Sequence, residues 1–162
     1  MNPSDSLHLI VEASLALAGF AGVVTALRSR GEGQLHVLHR LSLTNLLSTS
    51  LVSLFLSLVA LVLLAADVAE ATVWRISSGV GLLPSLYFGS ASVRTVLANA
   101  GERQRRRSTA TLIAINGPLL IICAIQVWNI VTLGEFWPVL LLLVALFAIG
   151  CFAFVRLLFA ET

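Results

Sequence analysis

Three ionisable residues stand at helical spacing near the start of the chain: Asp5, His8 and Glu12, in the run "SDSLHLIVEASLALAGFAGVVTALR" that begins at Ser4. Separations of three and four residues put them on one face of an α-helix. A carboxylate, imidazole, carboxylate row suits a proton relay, or rings of charge around an axis shared by several copies. The spacing also fits metal ligands, but a single histidine is a poor set for a transition metal, and no metal or other cofactor is expected. Glu12 is the telling member, because apolar residues dominate the fifteen positions that follow it. A lone charge at the centre of a membrane helix costs about 2.5–3.5 kcal/mol, so a partner or a function is expected.

Depth suggests which groups to consider. At ~1.5 Å per residue, Glu12 lies roughly 8 Å inside an apolar span starting at residue 7. Gln126 and Asn129 lie at roughly 10 and 6 Å from the same edge of a later span, by the same rise. Arg75 starts near that edge of a third span, and Ser77 and Ser78 share the slab. Two arrangements fit. Glu12 pairs with Arg75 while the amides complete the hydrogen bonds, or the slab is an outward-facing vestibule where Glu12 binds a cation or exchanges a proton.

The elements that hold these residues follow from composition. Of 162 residues, 58% are hydrophobic and 11% charged, against roughly 25% charged in soluble domains. That leaves too little polar surface for a soluble globule, so an all-α integral membrane protein is expected. Five segments have the 17–25 or so apolar residues that cross ~30 Å of hydrocarbon: 7–27, 43–66, 73–98, 110–133 and 139–159. They predict one domain, a bundle of five transmembrane helices. No basic n-region or cleavage site marks a signal peptide.

All ten basic residues are arginines, so lysine Schiff-base chemistry is excluded. Nine of the ten fall on one side of the expected spans and only Arg75 on the other. By the positive-inside rule the N-terminus is outside and the C-terminus cytoplasmic. Trp74, Trp128 and Trp137 fall at the outer ends of their spans, where an interfacial belt is expected. Arg103, Arg105, Arg106 and Arg107 form the topogenic loop and suit anionic lipid headgroups, with no nucleic acid expected. His36 and His39 read as solvated loop residues, and Cys123 and Cys151 as small apolar packing residues.

Small and hydroxyl residues form stripes on three spans. Span two carries Ser42, Asn45, Thr49, Ser50, Ser53 and Ser57; span three carries Ser78, Gly81, Ser85, Gly89 and Ser92; span one offers Ala18, Gly22 and Ala26. Such rows let helices approach closely. The alternative is that Asn45, Thr49, Ser53 and Ser57 line a hydrated path, joined by Asn116 before the helix-kinking Pro118.

No nucleophile elbow, metalloprotease helix, phosphate loop or dinucleotide fingerprint occurs, so no enzyme activity is expected. The run "EASLALAGFAGVV" resembles stretches of small bacterial membrane proteins, which implies a bacterial inner membrane. Two functions fit these residues: a homo-oligomeric ion or proton channel or ion-coupled transporter, and a non-catalytic accessory subunit that binds another membrane protein through small-residue faces.

Overall fold

The computed structural model describes residues 2–28, 37–99 and 105–159. Among them are five α-helices and no strand: α1 Pro3–Arg28, α2 Val37–Ala65, α3 Glu70–Asn99, α4 Arg105–Trp128 and α5 Phe136–Phe159. A π-helical turn, Asn129–Leu133, prolongs α4. Each expected span falls in one of these helices, to within a residue at the end of α2. The helices run past the apolar segments because a helix satisfies its own backbone groups and needs no change of conformation at the hydrocarbon edge.

Among the described residues, three stretches are long and apolar enough to cross a membrane: Pro3–Val24, Leu43–Ala65 and Phe136–Val155. α3 carries Arg75, Arg94, several serines and several glycines among its apolar residues. In α4 the described part of the apolar stretch is Gly117–Leu133, and the helix opens on three arginines. Both helices continue through an internal proline, Pro84 in α3 and Pro118 in α4.

Helix ends follow local chemistry. Pro3 opens α1, where a missing N–H loses no bond, and Asp5 sits in the first turn beside the positive end of the helix dipole. α2 stops at a turn in which Asp67 adopts φ 54°, a left-handed conformation that aspartate tolerates better than most residues. Ala69 O then accepts from Thr72 N (2.8 Å) and Val73 N (3.1 Å) to start α3.

The chain divides into two compact units, with boundaries after Asp67 and after Leu141. The first contains α1, α2 and the C-terminal part of α5. The second contains α3, α4, the π turn and the start of α5.

In the first unit α1 and α2 pack together, and the short connection between them makes them antiparallel neighbours. Fully buried residues recur every seven positions on each: Leu7, Ser14 and Ala21 on α1, and Leu46, Ser53 and Ala60 on α2. This is the spacing of a left-handed helix seam. Ala21, Leu46 and Ala153 of α5 form a core cluster flanked by Leu17, Leu47 and Phe154. Phe20 meets Phe154 edge-on, with ring centroids 5.0 Å apart.

Gly150 brings α5 close. A Cβ there would lie 3.1 Å from Thr49 Oγ1 and 3.7 Å from Leu17 Cδ1 and Leu46 Cδ1. On α1 the packed row differs from the expected one: Ala18 is half-buried, and Gly22 and Ala26 are exposed. A Cβ at Gly22 would meet nothing within 4 Å. Small size alone does not say which face of a helix is covered.

Gly150→Val is expected to destabilise the fold by about 1–3 kcal/mol through overpacking. Gly117→Ala, at a position with open space, should be neutral or slightly stabilising. Unfolding in mixed micelles, titrated with a denaturing detergent, measures both.

Candidate functional site

The ionisable row of α1 falls where its spacing puts it, on one face. At ~100° per residue, Asp5, His8 and Glu12 occupy an arc of about 60°, opposite the arc of Ser6, Leu7, Ile10, Ser14 and Ala21. The second set is buried and the first exposed. The helix therefore turns its apolar and hydroxyl side to α2 and its charged side away. His8 Nδ1 lies 2.8 Å from Ser4 O, one turn back. A carbonyl only accepts, so Nδ1 carries the proton and donates, and Nε2 is the ring nitrogen left for other partners.

Of the residues expected at the same depth, Arg75, Gln126 and Asn129 belong to the second unit, whereas Asp5, His8 and Glu12 belong to the first. The second unit does bring two of its own polar groups into one buried network. Asn129 and Ser78 are fully buried, and Asn129 Nδ2 donates to Ser78 Oγ (2.8 Å) and to Glu135 O (3.0 Å). Glu135 N donates back to Asn129 Oδ1 at 2.9 Å. The side-chain amide thus pairs with the Glu135 peptide group as a neighbouring strand would.

The π turn allows this pairing. Gly134 N donates to Asn129 O, five residues back, at 2.9 Å, and Gly134 takes a left-handed φ of 65°. A side chain at 134 would stand 3.1 Å from both Ala71 Cβ and Ala71 O, and 3.2 Å from Arg75 Nε. Glycine is required there by conformation and by space together. Arg75 itself is exposed, with its Nε beside this turn.

Gln126 is fully buried one turn before Asn129. Its Nε2 donates to Pro138 O at 2.7 Å, and its Oε1 has no partner. Trp74 departs from the interfacial belt: it is buried, with its ring centroid 4.9 Å from that of Phe136. Trp128 and Trp137 are exposed, as a belt requires.

On α2, Thr49, Ser53 and Ser57 are buried and Asn45 is exposed. Thr49 Oγ1 donates to its own helix, at Asn45 O (2.8 Å) and Leu46 O (3.2 Å). The side chains of Asn116, Arg105, Arg106, Arg107 and His39, and all of Arg103 and His36, lie outside the described residues. Among those described, no three His, Cys, Asp or Glu side chains converge as metal ligands. Ser14, with Ser6, is a buried polar residue of α1 that the sequence stripes leave out. The signal for Ser14 is the seven-residue interval shared with Leu7 and Ala21.

The Asn129 network is closed and self-satisfied, which is the chemistry of a structural clasp. The α1 row of Asp5, His8 and Glu12 is exposed. Asn129→Leu removes three side-chain bonds and should destabilise by roughly 2 kcal/mol, at the ~0.6 kcal/mol typical of bonds between membrane helices. Ser78→Ala removes one of them and should cost about a third as much. Detergent unfolding of both variants tests that ratio.

No protein-family model matches the chain, and comparison with the curated proteins and with the solved structures found no match.

Proposed function

We propose that this protein is a multi-pass subunit of a homo-oligomeric ion or proton channel, or ion-coupled transporter, with α1 facing the shared pathway. The observation that carries this reading is the exposure of Asp5, His8 and Glu12 on the side of α1 turned away from α2. In a bilayer, hydrocarbon against that side would leave the Glu12 carboxylate without solvation, a costly arrangement. Water in a path between copies removes the penalty and gives the carboxylate an exchangeable partner. Glu12 is the ion- or proton-handling group, with His8 and Asp5 one and two turns nearer the membrane edge.

In this reading all five helices cross the membrane, the N-terminus lies outside, and the arginines, Arg103, Arg105, Arg106 and Arg107 among them, face the cytoplasm and anionic lipid of a bacterial inner membrane. Five short helices enclose little space, so the path runs between copies. The chain has no catalytic role. The second reading, an accessory subunit bound to another membrane protein, is favoured by Gly19 and Gly22. Both are open to a neighbouring backbone on the exposed side of α1.

Reconstituted into liposomes with an internal pH dye or cation indicator, the protein should pass protons or monovalent cations. Glu12→Gln keeps the size of the side chain and removes its charge, and is expected to lower that flux at least about tenfold, as for loss of a charged group in the path. Unchanged flux in the variant rules out Glu12 as the ion-handling group. In a background lacking Cys123 and Cys151, Leu15→Cys should cross-link between copies and Ser14→Cys should not. A monomer without flux that retains one stable membrane partner establishes the accessory role.

A further inference from the structure

The seam between α1 and α2 contains a layer of hydroxyls with nothing to bond. Ser14 on α1 and Ser50, Ser53 and Ser57 on α2 are each more than nine-tenths buried, and none of their oxygens has a hydrogen-bond partner. Ser14 and Ser53 belong to one level, with Ser50 and Ser57 about one helical turn to either side. Ala21 clusters with Leu46, and seven residues further along each antiparallel helix, about 10.5 Å by the helical rise, stand Ser14 and Ser53. Another seven reach Leu7 and Ala60, both fully buried. The hydroxyl layer is therefore closed by apolar residues on both sides along the seam.

We propose that this layer is an internal water site. On α2, Ser50 and Ser53 are three residues apart and Ser53 and Ser57 four, so their Cβ atoms are about 5–6 Å apart. No direct bond joins these oxygens, and at that separation one water can bridge neighbouring hydroxyls with two hydrogen bonds of about 2.8 Å. Ser14 supplies a further polar partner from the facing helix, within the two to four or so that a buried water needs. Water fits better than a cation. The layer offers only neutral oxygens, and they do not offset the cost of stripping a cation's hydration shell. The site lies on the side of α1 opposite Glu12, so it stands or falls independently of the transport reading.

Water-edited solid-state NMR of the full chain in lipid bilayers, with labelled serine, alanine and leucine, tests the proposal. Water magnetisation is expected to reach the Cβ atoms of Ser14 and Ser53 early, while Ala21, Leu46 and Ala60 in the same seam stay dark. Equal, slow transfer to all five overturns it, and means the hydroxyls turn back to carbonyls of their own helices. In Ser53→Val the added methyls occupy the water's place, so early transfer to Ser14 should disappear. If it persists in that variant, the water is not shared across the seam and the proposal fails. The native chain alone decides the first comparison, so the result does not depend on the variant folding.

Discussion

Hydrocarbon supplies no hydrogen-bond partners, and that one constraint governs this chain from backbone to side chains. It explains why the described residues are helical, since an α-helix closes its N–H and C=O groups internally. It also explains the end of α4, where the chain must reverse without leaving peptide groups bare. Asn129 solves that locally. Its backbone oxygen takes Gly134 N and its side-chain amide takes both polar groups of Glu135. A turn that is usually left to water is here completed by one side chain.

The same constraint sorts the polar residues into two kinds. Thr49, Ser85 and Thr132 bond to carbonyls one turn back in their own helices, so they add small size and adaptable packing without an unmet demand. Asn129 reaches across to α3. Glu12 does neither, because a carboxylate only accepts, and a helix interior has no donor to spare. A charge on the uncovered side of α1 transfers the problem to whatever lies against that side. The transport and accessory readings are two answers to one question of solvation.

Much of the architecture was legible. Hydropathy located all five helices, because each contains a long run rich in apolar residues. Helix ends were legible only approximately: hydropathy marks the hydrocarbon, whereas α2 begins at Val37 and α3 at Glu70 in polar sequence. The grouping of Ser78 and Asn129 at one depth was readable from residue rise. Their bond was not, because it depends on a π turn whose extra residue leaves no periodic trace. The face of α1 that α2 covers was not legible, for a similar reason. Ala18, Gly22 and Ala26 are as small as Ser14 and Ala21, and only the partner row Leu46, Ser53 and Ala60 decides between them. The common side of Asp5, His8 and Glu12 followed from spacing alone, whereas the direction that side faces required the packing of α2.

The π turn has one more consequence, which concerns chain length. A π turn takes one residue more than an α-helix to cover the same ground, so the segment Asn129–Leu133 holds a residue of slack just before the reversal at Gly134. The extra residue widens the last turn, and Asn129 alone fastens it at both ends, its backbone oxygen to Gly134 and its side chain to the backbone of Glu135.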